Sequence, residues 1–136
     1  THAINATELP DIVSMIRSLT EGGADFVVEA AGHPLLLRQA VDALAPMGTA
    51  VQLGGLPQGT EASIDSNDLR SKSKTIAGLV EGGSVPRVLI PQLIEFYKAG
   101  RFSFDKLVRY YPFEEINKAA ADAHDGKVIK PILQFS

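Results

Sequence analysis

The stretch Gly22-Gly23-Ala24-Asp25-Phe26-Val27-Val28-Glu29-Ala30-Ala31-Gly32 decides how the rest of the chain is read. Its centre is a run of β-branched and aromatic residues, too short for a helix and bounded by small residues on both sides. That pattern predicts a strand over Ala24 to Ala30, buried on both faces as in a parallel sheet. Pro34 then suits a first helical turn, and Leu37, Val41 and Leu44 share one face of a helix predicted over Leu35 to Leu44. Strand, small-residue turn and helix together make one unit of an α/β fold.

Downstream the theme repeats. Pro46-Met47-Gly48 turns the chain into a strand over Thr49 to Leu53, which Gly54-Gly55 ends. Pro57 to Asp68 is polar, with Ile64 as its one large apolar residue, and reads as a surface excursion. Lys74 to Val80 is a third strand, closed by Gly82-Gly83. A helix opening at Pro86 or Pro91 runs to Ala99 with Leu89, Leu93 and Phe96 inward, and Gly100 follows it. Upstream, Ala3-Ile4-Asn5 suggests a short strand, and Pro10 to Leu19 a helix with Ile12, Val13, Ile16 and Leu19 on one stripe. In the tail, Leu107 to Tyr111 reads as β, and Phe113 to Ala123 as a helix with Ile116, Ala119 and Ala123 inward. Lys127 to Phe135 is a last strand interrupted by Pro131, which places it at a sheet edge or outside the main sheet.

The 136 residues carry no cysteine and a formal net charge of −3. Absence of Cys excludes disulfide frameworks, thiolate zinc sites and a Cys nucleophile within this stretch. Dispersed, slightly acidic charge argues against nucleic acid or an anionic membrane surface as partner. The apolar runs fall far short of the ~20 residues a membrane helix needs, and no basic, apolar leader opens the chain, so a soluble, cytoplasmic protein is expected.

Chemistry is expected where the strands end. Ala31-Gly32, Gly54-Gly55 and Gly82-Gly83 put small residues at the carboxyl ends of three strands, the edge where open α/β sheets bind ligands against the main chain. Tight strand-to-helix turns explain any one cluster equally well; three in register favour a ligand edge. Glu29 and Glu81 both stand at strand ends and offer an acid/base pair, as do Asp65 and Asp68 if the excursion folds over the sheet, against the plainer reading of solvated carboxylates. His2, His33 and His124 have no spacing that puts two on one face, so no metal site is expected, and His124 suits a helix end. No serine is framed as a nucleophile elbow. Lys130 reads either as a surface charge or as a residue facing an anion. No G-x-G-x-x-G turn follows a strand, so a dinucleotide fold here would lack its first half.

Thr1 to Asn5, Gly22 to Gly32, Gly48 to Gly55, Gly78 to Gly83 and Gly126-Lys127-Val128-Ile129-Lys130-Pro131-Ile132-Leu133 together resemble the C-terminal part of the medium-chain, zinc-dependent alcohol dehydrogenases, most of all the aryl-alcohol (benzyl-alcohol) type. The resemblance covers the whole chain. It implies a partial Rossmann-like, doubly wound parallel sheet that lacks its first strands and the glycine-rich turn. Residues 1–136 would be the C-terminal portion of the nucleotide-binding domain, with a terminal return segment from about residue 112 to 136. It further implies NAD or NADP as coenzyme, an alcohol or aldehyde as substrate of the intact enzyme, and zinc held only by a catalytic domain that this chain lacks. Ala30 and Ala31 would lie beside the coenzyme ribose. The backbones of Leu53, Leu79 and Glu81, with Gly54 beside them, would hold the nicotinamide carboxamide. Lys130 stands where the family usually has an arginine near the pyrophosphate; a lysine offers a point charge rather than a bidentate fork. The stretch Ala62-Ser63-Ile64 resembles the edge strand that pairs across the family's dimer.

In the strand order 3-2-1-4-5-6, a strand at Ala3 to Asn5 belongs beyond two absent strands, which leaves the strand at Phe26 with an open edge. Self-association into a homo-oligomer is the expectation, and the isolated chain is expected to be inactive. A free-standing α/β ligand-binding or assembly module without chemistry remains the alternative.

Overall fold

The computed structural model describes residues 1–135. Two compact units divide the chain, one from Thr1 to Ser84 and the other from Val85 onward.

The first unit contains α1 (Ile12–Leu19), β1 (Ala24–Glu29), α2 (Pro34–Asp42), β2 (Leu44–Gln52), α3 (Ser66–Ser71) and β3 (Thr75–Gly78). Asp11 starts α1 by accepting a hydrogen bond from the Ser14 amide at 3.0 Å; that bond and one from the Ser14 hydroxyl hold its carboxyl below the usual range. Gly23 then lets the chain cross the backbone of Leu44 and Ala45, where a Cβ would collide. β1, β2 and β3 form a parallel sheet in that order, with Phe26 opposite Thr49 and Glu29 opposite Gln52. Gln52 in turn faces Gly78, so the last residues of the three strands stand side by side.

One face of this sheet is packed. Ala40 and Val41 of α2 meet Leu44 and Ala50 of β2 in a buried cluster, joined by Val27, Ile64 and Leu69. The other face of β1 is bare: Phe26 is 78% exposed and Val28 60%. Burial on both faces of β1 is therefore not what the structure shows, because the alternation of side chains sends only Val27 and Glu29 toward α2. β1 has a single neighbour, β2, and its other edge is open.

Several expectations are corrected. Ala3-Ile4-Asn5 is not a strand; Asn5 instead caps a 3-10 turn over Ala6–Glu8. Leu44 opens β2 rather than closing α2, and Pro46-Met47 lies within β2 as an irregularity, with Met47 in the left-handed region at φ 65°. Ala62-Ser63-Ile64 is not a strand, and the excursion ends in α3, capped by Asp65, whose side chain accepts from the amides of Asn67 and Asp68. Ile64 and Leu69 turn inward from this polar segment. Lys74 precedes β3. Its buried ammonium donates to the Val41 carbonyl at 2.8 Å and to Asp68 at 2.7 Å, clamping α2 to the approach of β3.

The second unit holds α4 (Pro86–Lys98), β4 (Val108–Pro112), α5 (Ile116–His124) and β5 (Lys130–Gln134). Pro86 opens α4 and Pro91 lies inside it. Phe96 and Ile116, expected inward, are 41% and 43% exposed. β4 and β5 pair in parallel with α5 as the crossover, and Pro131 stands opposite Arg109. A two-stranded sheet is all edge, so a proline is accommodated there. Tyr111 and Ala119 are buried, and the Tyr111 hydroxyl donates to Asp122 at 2.9 Å. Among the described residues no helix is long and apolar enough to cross a membrane.

Candidate functional site

Six of the seven candidate residues come together at the carboxyl edge of the three-stranded sheet. Ala30 and Ala31 follow β1, Leu53 and Gly54 follow β2, and Leu79 and Glu81 follow β3. Lys130 belongs to the second unit, where it is the exposed first residue of β5.

The edge is built by each strand end binding the next. The Glu29 carbonyl accepts from the amides of Leu53 at 2.8 Å and Gly54 at 2.9 Å, and the Gln52 carbonyl accepts from Leu79 at 3.1 Å. The N–H groups of Leu53 and Leu79 are thus used within the sheet. Their carbonyls accept no hydrogen bond among the described residues and point to an available acceptor pair on adjacent strands. Glu81 takes a left-handed conformation at φ 51° and is followed by Gly82 and Gly83 at φ 68° and 67°. Its carbonyl accepts from the Ser84 amide and hydroxyl, which closes the third turn.

The glycines at this edge divide into two kinds. A side chain at Gly32 would collide with the Gly55 carbonyl, and one at Gly54 would stand 2.6 Å from Gly32 Cα and 2.9 Å from Glu29 Oε2. These two are small because the loops after β1 and β2 touch each other. Gly55, Gly82 and Gly83 face open space, so main chain is accessible there.

Glu29 is not half of an acid/base pair. The residue is only 5% exposed, and Oε1 accepts from the amides of Ala31 at 2.8 Å and Gly32 at 2.7 Å. Glu81 is exposed. Asp65 and Asp68 are likewise engaged away from the edge: hydrogen bonds from Lys72 and Lys74 hold the Asp68 carboxyl down at about 2. The loop-building role of Glu29 is the feature that residue pattern missed. Its only signal was an acidic residue placed two and three positions before Ala31 and Gly32, the spacing at which a side chain reaches back to the main chain.

Beside this edge, Ile12 and Ile16 of α1, Val28, Ala30 and Ala31 of the β1 end, and Leu36 of α2 line a largely apolar hollow of 240 Å³. His33 caps α2 through Nδ1, which accepts from Leu35 at 3.2 Å. Among the described residues no three His, Cys, Asp or Glu side chains gather to hold a metal.

The family described as zinc-binding dehydrogenase matches residues 1–99, and the chain belongs to it. Its α/β architecture with parallel strands is that of the Rossmann-like coenzyme domain of medium-chain dehydrogenases. Among relatives, geraniol dehydrogenase of Castellaniella defragrans is 36% identical over 136 residues, covering 98% of this chain and 36% of that enzyme. A class-3 alcohol dehydrogenase of Cereibacter sphaeroides is 27% identical over 99% of this chain and 38% of its own length. A solved alcohol dehydrogenase zinc-binding domain protein from Burkholderia ambifaria superposes with TM-score 0.92 at 48% identity, over 100% of this chain and 36% of that one. Benzyl alcohol dehydrogenase of Acinetobacter calcoaceticus gives TM-score 0.89 at 42% identity, over 96% of this chain and 36% of that one. The chain thus spans little more than a third of the length of the proteins it matches.

Proposed function

We propose that this chain supplies part of the nicotinamide coenzyme site of an alcohol dehydrogenase acting on alcohols or aldehydes, aromatic ones included. The observation that carries the reading is the alignment of three parallel strand ends, with the carbonyls of Leu53 and Leu79 unengaged beside the open glycines of the third turn. A carboxamide needs acceptors on adjacent strands for its N–H groups and one donor for its oxygen; Leu53 and Leu79 provide the first and the Glu81 amide the second. Ala30 and Ala31 give a small, smooth wall on which a ribose can rest. Lys130 adds a positive charge suited to phosphate. When bound, the coenzyme supplies the hydride acceptor for alcohol oxidation. The protein residues named here bind and orient it, and the isolated chain lacks the groups for the chemical step.

The same reading makes residues 1–136 the C-terminal part of the coenzyme domain, with roughly 112–136 as a return segment, in a cytoplasmic homo-oligomer. Titration of the 15N-labelled chain with NAD and, separately, NADP tests it. Amide shifts concentrated at Ala31, Leu53, Leu79 and Glu81 are expected. Their absence at millimolar coenzyme, with shifts elsewhere or none, overturns the assignment. Benzyl alcohol and NAD with the purified 136-residue chain are expected to yield no NADH; measurable NADH formation contradicts the inactivity.

A further inference from the structure

We propose that Glu29 is a positioning residue that sets the loop after β1 and the loop after β2 in one arrangement. Its consequence for the coenzyme rests on the dehydrogenase reading; its geometry does not.

Glu29 is the last residue of β1, and it binds four amides. Two belong to its own loop, Ala31 and Gly32 on Oε1, and two to the neighbouring loop, Leu53 and Gly54 on the main-chain carbonyl. The other carboxylate oxygen, Oε2, is buried without a partner among the described residues and lies against Gly54. A buried carboxylate costs free energy unless its hydrogen bonds repay the desolvation, so a residue chosen for packing alone would be apolar here. Charge-assisted bonds to two consecutive amides are directional, and they freeze the turn that carries Ala30 and Ala31. Because Gly32 and Gly54 are in contact, freezing the first turn also seats the second, where Leu53 presents its carbonyl. One side chain thereby governs four of the six edge residues.

The test compares Glu29→Ala, Glu29→Asp and Glu29→Gln with the parent chain by amide hydrogen exchange. Loss of the carboxylate, or its withdrawal by one methylene, is expected to speed exchange by about tenfold at Ala31 and Gly32 and also at Leu53 and Gly54. Ala50 and Val51 inside β2 stay protected. Glutamine keeps an acceptor oxygen and restores most of the protection. A response confined to Ala31 and Gly32 overturns the proposal, as does equal acceleration at Ala50 and Val51, which marks general loosening. In the full-length product of the gene, the same variants are expected to raise the KM for coenzyme about tenfold with Ala and Asp, to recover with Gln, and to change kcat less. A loss of kcat in all three with KM unchanged overturns it in favour of proton transfer. If the parent protein uses no nicotinamide coenzyme, the dehydrogenase reading fails and the exchange pattern alone decides the role of Glu29.

Discussion

Neighbouring glycines at the sheet edge are under opposite constraints. Gly54 touches Gly32 and the Glu29 carboxylate, whereas Gly55 faces open space. Gly54→Ala is expected to lower stability by roughly 1–3 kcal/mol, since the nearest obstacle is the Gly32 backbone, which cannot yield as a side chain does. Gly55→Ala should stay within about 0.5 kcal/mol. Urea melts of the two variants check this, and equal losses would contradict it. The clamp at Lys74 makes a second contrast. Asp68→Asn leaves the buried Lys74 ammonium without its counter-charge and should cost roughly 3 kcal/mol. Lys74→Met removes the charge while Asp68 keeps Lys72 as a partner, so its cost should be smaller. Asp68 also sets a pH dependence. Its folded-state pKa of about 2 lies below the ordinary aspartate value of 3.8. Its stabilisation is therefore present above pH ~4 and is lost as pH falls toward 2. Acid titration of stability should show a larger loss in the parent chain than in Asp68→Asn, where Asp11 still contributes its own.

At the scale of elements, a strand with one strongly apolar centre declares itself, and a short helix held by side chains does not. β1 and β2 were legible because Phe26-Val27-Val28 and Thr49 to Leu53 are β-branched runs between glycines. α3 was not: Leu69 is its one large apolar residue, its start depends on Asp65 capping, and its end on Ser73 in the left-handed region at φ 51° with the Lys74 amide donating to the Leu69 carbonyl. Ala3 to Asn5 looked extended but finds no neighbouring strand, and extended chain without a ladder is only coil. The glycine clusters marked the carboxyl edge of the sheet, yet composition alone cannot separate a glycine that faces open space from one pressed against a second loop. Pro91 sits in the interior of α4, where it withholds a backbone hydrogen bond. Pro91→Ala is expected to stabilise the second unit by roughly 1–3 kcal/mol. Calorimetry showing no gain would mean that α4 is held by something other than its own backbone.

At the scale of the whole molecule, β1 combines a bare face with an open edge. Phe26 and Val28 present apolar surface beside unpaired backbone, a combination that recruits further chains. Light scattering at high micromolar concentration should report species larger than a monomer. Phe26→Lys should shift the distribution toward monomer without a matching loss of stability, because that side chain already faces solvent. A strictly monomeric parent chain would remove the basis for self-association through this edge.

The order of strands in the sheet bears also on how the chain acquires its shape. β1, β2 and β3 lie side by side in the order in which they are synthesised, so each new strand docks on the one made immediately before it. Contacts between near neighbours in sequence close small loops, which favours rapid folding and allows assembly while the chain is still emerging from the ribosome. Within these three strands, growth runs from β1 through β2 to β3. The outer edges of β1 and β3 are the two that this order leaves without a neighbour among the described residues.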